Sequence, residues 1–459
     1  MQQSCNQMKL PVEFTEQTKA LFGEERYERF LAGLQAEPVV SIRTNPYKQT
    51  ASATDKKVPW AENGCYLDNR PSFTADPLFH AGCYYVQEAS SMFLEQVFKQ
   101  YVDGPVRMLD LCAAPGGKST HALSLLPQGS LFVANEPMPL RAGILAENII
   151  KWGVPSAMVT RNEPADFTRF NDFFDIIVVD APCSGEGMFR KDARAVEMWS
   201  PANVRNCVTR QHTILTDIWE ALRPGGLLVY STCTFNVHED EEMVAWIRDE
   251  LGAEVLPIDI DPEWGITGNL TDDKFPVYRF IPGHTRGEGF FLALLRKDGD
   301  SPVAQPRPQR SRPTPLPKAC AEAKKWLTSP EEYEFVVEGE NIIALPRKHQ
   351  TAMAALQAKL KVLHCGVPVA AIKNNKLIPL HPLAMSNALN REAFAIVEVT
   401  HEQALAYLHR EALSMPSAPT GILLFTYKDT PLGFAKNVGN RVNNLYPAEW
   451  RIRKDPVEL

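Results

Sequence analysis

Between Arg107 and Leu295, short apolar runs alternate with stretches of helical apolar spacing, and no other feature of the sequence limits the fold so tightly. The pattern predicts strands at 107–112, 130–135, 156–160, 174–180, 226–232 and 289–295. Helices are expected from Lys118 to Leu126, up to Trp152, over 201–222 and over 239–251. A run such as Ile176-Ile177-Val178-Val179 is apolar on both of its faces, as a strand covered on both sides must be. Strands alternating with helices imply βαβ units, and hence an α/β domain around a parallel sheet, over residues 106–299. In such sheets ligands bind beyond the carboxyl ends of the strands. The residues that follow each strand are therefore where chemistry should be sought.

Three of these endings stand out. The first strand runs into Cys112-Ala113-Ala114-Pro115-Gly116-Gly117-Lys118. Gly117-Lys118-Ser119 resembles the end of a phosphate-binding loop, but the glycine required five places before Gly117 is Cys112, and the dinucleotide G-x-G-x-x-G pattern is absent. What remains is a tight turn that lets backbone approach a ligand without calling for phosphates. Glu136 ends the next strand, where an acid can accept from both ribose hydroxyls of a nucleoside. A nucleoside cofactor without phosphates points to S-adenosylmethionine. The other two endings carry thiols, Asp180-Ala181-Pro182-Cys183 and Ser231-Thr232-Cys233. A lone cysteine at a strand end is ordinarily a small buried hydrophobe, but two at matched positions beside a methyl donor suggest nucleophilic attack on C6 of a pyrimidine, which makes C5 electron-rich enough to take a methyl group.

Composition narrows the alternatives. The 459 residues allow several domains, and the nine cysteines show no Cys-x-x-Cys pair and no Cys/His cluster at zinc spacing, so neither a disulfide framework nor a metal site is expected. No apolar run approaches membrane-spanning length, and the N-terminal residues carry no apolar signal segment, so a cytoplasmic protein without membrane association is expected. The chain is acidic overall, at −7, yet residues 301–459 hold 20 Lys and Arg against 14 Asp and Glu. That asymmetry suits a basic module on an acidic body.

The flanks are less regular. Residues 13–35 have helical spacing, Val39–Arg43 reads as a strand, and a helix is expected near 88–97, giving a small α+β region over 1–105. Residues 300–318 are proline-rich and read as a semi-rigid linker. Beyond it, over 319–459, short strands mix with helices near 348–360 and 401–413. The basic end holds Tyr446 and Trp450 between Lys436, Arg441, Arg451, Arg453 and Lys454, a composition suited to phosphate contact and base stacking.

Taken together, Leu111-Cys112-Ala113-Ala114-Pro115-Gly116-Gly117-Lys118, Asp180-Ala181-Pro182-Cys183-Ser184-Gly185-Glu186-Gly187 and Tyr230-Ser231-Thr232-Cys233-Thr234 resemble the motifs of the Nol/Nop/Sun family of RNA cytosine-5 methyltransferases. The likeness extends to Ser41–Asn45, Gln87–Met92, Arg190-Lys191 and Arg286–Phe291, and covers about residues 10–297. Leu432–Lys436 and Asn444–Pro447 are similar to the tail of the bacterial RsmF-like branch, which modifies 16S ribosomal RNA. The resemblance implies a Rossmann-like class I methyltransferase domain, a small N-terminal RNA-recognition-like α+β domain and a C-terminal PUA-like domain at about 386–459. It implies an S-adenosylmethionine site lined by Cys112, Ala113, Ala114, Pro115, Gly116, Gly117, Lys118, Glu136, Glu163 and Asp180, although the family often has Asp where this chain has Glu163. Cys233 would be the nucleophile, Cys183 would assist release of the enzyme, Asp180 would hydrogen-bond the base near N3, and Lys118 would contact the base or position Asp180. The partner would be ribosomal RNA or the small ribosomal subunit. The same chemistry on transfer RNA, a thiol hydrolase using His238, and a non-catalytic RNA-binding assembly factor are the competing expectations.

Overall fold

The computed structural model describes residues 9–48, 55–306, 319–374 and 376–453. Most of the expected linker, residues 307–318, lies outside them, as does Lys454.

The N-terminal region opens with helices Val12–Phe22 and Glu24–Gln35. The helical spacing over 13–35 runs through Gly23 unbroken, but Gly23 sits at φ 73° and divides it. Four strands follow, β1 (Val40–Thr44), β2 (Lys57–Val58), β3 (Ala61–Leu67) and β4 (Tyr84–Tyr85), in the antiparallel order β2-β3-β1-β4.

The central sheet is built on β5 (Arg107–Asp110), β6 (Leu131–Asn135), β7 (Ala157–Thr160), β8 (Phe174–Asp180) and β9 (Leu222–Thr232). They run parallel in the order β7-β6-β5-β8-β9. Helices Gly117–Leu125, Pro139–Trp152 and Pro201–Trp219 cross between them. The last of these starts cleanly because Ser200 accepts from Asn203 N–H at 3.1 Å and Pro201 occupies the first turn. The sheet is not parallel throughout, as the alternation suggested. After β10 (Ala253–Leu256) the chain returns through β11 (Tyr278–Phe280) to β12 (Phe290–Lys297) with no crossover α-helix between. Strand β12 therefore inserts antiparallel between β9 and β10.

Past the linker, β13 (Tyr333–Glu338) and β14 (Asn341–Pro346) pair with β16 (Val367–Lys373) and β17 (Lys376–Pro379) in a small antiparallel sheet. Between them, β15 (Val362–Cys365) leaves this sheet and pairs antiparallel with β7, becoming the outer strand of the central sheet. Ile343, Leu345, Met353 and Leu356 from the same stretch join the hydrophobic core beneath β8. The final sheet is β18 (Ala395–Glu398), β19 (Gly421–Tyr427), β20 (Thr430–Asn437) and β21 (Val442–Asn444). Its core residues Tyr407, Leu432 and Tyr446 share a cluster with Leu78, Ala81 and Cys83 of the N-terminal region.

The N-terminal region is also tied to the glycine turn. Fully buried Arg43 donates to Gln87 Oε1 at 2.8 Å and Thr120 Oγ1 at 2.6 Å, and its guanidinium lies 4.4 Å from the Trp152 ring centre. It thus braces the helix that follows the turn, and among the described residues no acid pairs with it.

Candidate active site

The glycine turn is shaped by backbone. Leu111 N–H donates to Val178 and Ala113 N–H to Asn135, so the chain leaves β5 held between its two neighbouring strands. The Ala114–Pro115 peptide is cis, and Gly116 adopts φ 113° to open the helix Gly117–Leu125. A side chain at Gly116 would be strained by that φ and would press on Leu145 and Asn148 at 3.3–3.4 Å. Asn148 Nδ2 donates to Pro115 O at 2.8 Å, and Arg141 ties Ala114 O (2.9 Å) to the Glu136 carboxylate (3.1 Å).

Three carboxylates end adjacent strands here: Asp110 on β5, Glu136 just past β6 and Asp180 on β8. Burial pushes Asp110 up to about 7 against the opposing effect of the Ser119 hydrogen bond (2.6 Å), and its Oδ1 is buried without a partner. An acidic rim with an unanswered acceptor fits a ligand carrying ammonium and sulfonium charge and a ribose diol. It does not fit a polyphosphate. The residues present therefore suit S-adenosylmethionine.

On the next strands lie the thiols. Asp180 and Ser231 are register partners, so the loops after β8 and β9 start side by side. Cys183 Sγ and Cys233 Sγ are 3.3 Å apart. The hydrogen bond to Cys233 first, and burial second, raise Cys183 well above the usual thiol range, which favours its protonated form. Lys118 Nζ pairs with Asp180 Oδ2 at 2.9 Å, and Ser231 Oγ donates to Asp180 Oδ1 at 2.8 Å. Burial works against the Lys118 charge, but Asp180 outweighs it and the lysine is held above its ordinary value. Cys233 is among the groups favouring that charge.

The sequence-predicted residues are thus brought to the ends of β5, β6, β7, β8 and β9. Cys112 lies in the turn, but burial and then Asp110 push its thiol far up, so it is no nucleophile at neutral pH. Glu163 is exposed beyond β7, where its backbone N–H donates to Asp166 Oδ2 at 3.1 Å. His238, the histidine that a hydrolase would need, is half-exposed and pairs with Glu242 at 2.7 Å. Asp110, Glu186 and Glu239 were not singled out from the sequence. All three sit within or beside the motifs, but their significance depends on contacts across strands. The expected stacking role of Tyr446 is overturned. It is 1% exposed and packs edge-on against His381 and Tyr407, because the apolar side of β20 and β21 needs it as core.

Among the described residues, no group of three or more His, Cys, Asp or Glu could hold a metal ion, and no helix is long and apolar enough to cross a membrane.

Comparison with known proteins gives a consistent picture. Residues 102–296 match the family described as 16S rRNA methyltransferase RsmB/F, residues 10–89 the N-terminal domain of 16S rRNA methyltransferase RsmF, and residues 394–452 the methyltransferase RsmF PUA domain. Ribosomal RNA small subunit methyltransferase F of Escherichia coli O6:H1 is 31% identical, over 95% of this chain and 95% of that protein. Its Enterobacter counterpart is 30% identical, over 97% and 96%. Among solved structures, a methyltransferase homologue from Pyrococcus horikoshii aligns at TM-score 0.55 and 26% identity, covering 65% of this chain and all of that one. NSun6 from the same organism, solved with SFG, shares the fold at TM-score 0.52 and 22% identity, covering 63% of this chain and 99% of that one.

Proposed function

Since the chain belongs to the RsmB/F family of S-adenosylmethionine-dependent methyltransferases, with the N-terminal and PUA domains of RsmF, we propose that it methylates C5 of a cytosine in 16S ribosomal RNA through a covalent bond between Cys233 and C6. The observation that carries this reading is the 3.3 Å contact between Cys183 and Cys233 beside the Lys118–Asp180 pair.

The target base must leave its stack to reach the strand ends. Cys233 attacks C6 as a thiolate. Charge then develops at N3 and O2, and the Lys118 ammonium, oriented by its partner Asp180, is the group that answers it. The same carboxylate can accept from the exocyclic amine of cytosine, which uracil lacks. Residues 112–118, Glu136, Glu163 and Asp180 would hold S-adenosylmethionine, which would supply an electrophilic methyl group for C5. Release needs the C5 proton removed and the C6–sulfur bond broken. Cys183 gives its proton to the departing Cys233 sulfur and recovers one from C5, directly or through a water; Cys233 then loses one proton to solvent, the proton that methyl transfer releases overall, and is a thiolate again. The closeness of the thiols supports this relay.

The test is Cys183→Ala. This variant should bind, attack and methylate once, then stall, so that a covalent protein–RNA adduct accumulates on a denaturing gel and is abolished by adding Cys233→Ala. Free turnover at the wild-type rate with no adduct would sink the two-thiol mechanism. Bisulfite mapping of 16S RNA with and without the gene identifies the base.

A further inference from the structure

The two cysteine loops grip one another through carboxylates. Glu186 lies on the Cys183 loop and is 1% exposed. Its Oε2 accepts from Thr234 Oγ1 (2.6 Å), Phe235 N–H (2.7 Å) and Asn236 N–H (3.1 Å), all on the Cys233 loop. Its Oε1 accepts from Trp199 Nε1 (2.8 Å) and Asn236 Nδ2 (3.0 Å). Glu239 follows Cys233 and reaches the other way. It accepts from Ser184 N–H (3.0 Å), adjacent to Cys183, from Gln211 Nε2 (2.9 Å) and from Asn236 Nδ2 (2.9 Å). Gly187 N–H donates to the carbonyl of Cys233 itself at 2.8 Å. Among the described residues, neither carboxylate has a lysine, arginine or histidine within ion-pair distance. Both spend their charge on neutral donors, which gives strong, directional bonds.

We propose that Glu186 and Glu239 are positioning residues that form a reciprocal clamp, each carboxylate fixing the loop that carries the other's cysteine. The clamp rests on the functional reading above in one respect: it assigns a separate chemical step to each loop. Glu186 sets the approach of Cys233 to C6, and Glu239 sets the place of Cys183 during release. Removing either should therefore reproduce the defect of the cysteine it holds, not a general loss.

Chemistry makes the test sharp. Everything facing Glu186 is a donor, and the Phe235, Asn236 and Trp199 N–H groups cannot turn round, so the Gln amide must point an N–H at another N–H in either orientation. Glu239→Gln can still accept from Ser184, but only by directing its NH2 at Gln211 or Asn236. On a 16S transcript carrying 5-fluorocytidine, whose C5 fluorine prevents release, Glu186→Gln should slow adduct formation by about 100-fold. On ordinary transcript, Glu239→Gln should form adduct at a near-normal rate and release it about tenfold more slowly. Calorimetric S-adenosylmethionine binding should stay within about threefold in both. An RNA-free arm reads the same geometry. Iodoacetamide alkylation, mapped by peptide mass spectrometry, should quicken at Cys233 in Glu186→Gln and at Cys183 in Glu239→Gln. Thr234→Val, which removes one donor and keeps the shape, should show the Glu186→Gln alkylation pattern more mildly and serves where that variant folds poorly. Equal slowing of both steps together with lost cofactor binding would overturn the clamp in favour of a purely structural role. Wild-type rates and an unchanged alkylation pattern would overturn it outright. A wild-type chain that forms no adduct would count against the methyltransferase reading, while the alkylation arm still decides the clamp.

Discussion

At the cleft, Glu186 and Glu239 are buried and both oxygens of each carboxylate are answered by donors. At the junction where the C-terminal region docks, several polar atoms are equally buried and not answered. Both ring nitrogens of His381, Nδ1 of His80 and the hydroxyl of Tyr446 have no hydrogen-bond partner. Lys48 caps the junction by donating to Ala81 O (2.7 Å) and Lys151 O (2.5 Å), and Gly153 brings the helix end so close that a side chain there would meet Met385 O at 2.3 Å. The cleft uses charge to fix its loops through directional bonds. The junction uses neutral histidines as flat aromatic filler, His381 lying edge-on to Tyr446 and Trp450. Geometry matters at one, area at the other, and the two should fail differently.

The largest effect belongs to the cleft. Cys233→Ala should lower methyl transfer by about a thousand-fold or more while leaving S-adenosylmethionine binding near normal, since the glycine turn and Glu136 are on other strands. Single-turnover transfer of labelled methyl to 16S transcript, with calorimetric cofactor binding, measures both. Substantial turnover would shift the nucleophile to Cys183.

Next comes loss of the junction as a whole. A chain ending at residue 306 would uncover the β7 edge that β15 pairs with and the core faces that Leu345, Met353 and Leu356 cover. Exposed strand edges of this kind pair with other chains. The truncated protein should aggregate or melt at least about 5–10 °C lower, because loss of even one buried leucine contact set is worth about 2–5 kcal/mol. Size-exclusion chromatography and a thermal melt check this. A monomer with an unchanged melt would make the downstream region a separable RNA-binding module, as the basic charge alone had suggested.

The contrast also explains what could be read in advance. The parallel core and the paired Pro-Cys and Thr-Cys endings are written in local pattern, because a strand's burial and the loop after it are contiguous in sequence. Strand β15 is Val362-Leu363-His364-Cys365, too short and irregular to show a period, and nothing in it names β7 as its partner. Glu186 and Glu239 were visible as letters, but their role lies in bonds across loops. Tyr446 between basic residues has the composition of a stacking platform, and only the packing against Tyr407 and His381 shows it to be core.

Acid should loosen the junction through its buried histidines. Burial, and then the Lys151 charge, lower His80 to about 4 and His381 to about 3, and burial lowers His364 on β15 to about 4. These folded values lie below that of a histidine in the unfolded chain, about 6.5. The unfolded chain therefore binds more protons between those values, and stability present above about pH 6.5 is lost progressively as pH falls toward about 4. Melting temperature against pH should fall through that window. His381→Phe, which keeps the ring and removes a titrating group, should flatten the fall, and an unchanged slope would show that these histidines do not govern docking.

The smallest effect tests whether RNA contact on the C-terminal sheet is a matter of surface charge alone. With Tyr446 buried, the described basic residues exposed at this end are Arg441, Arg451 and Arg453. An arginine touching phosphate contributes through counterion release, so Arg451→Ala with Arg453→Ala should reduce the slope of log affinity against log salt by about one to two. Among the described residues, neither shares a hydrogen bond or ion pair with the cleft, so the single-turnover rate at saturating RNA should not change. Filter binding of 16S transcript across a salt series gives the slope. An unchanged slope would move the RNA path off this edge of β20 and β21, and a lowered saturating rate would mean that the C-terminal region, besides holding RNA, helps to aim the base at Cys233.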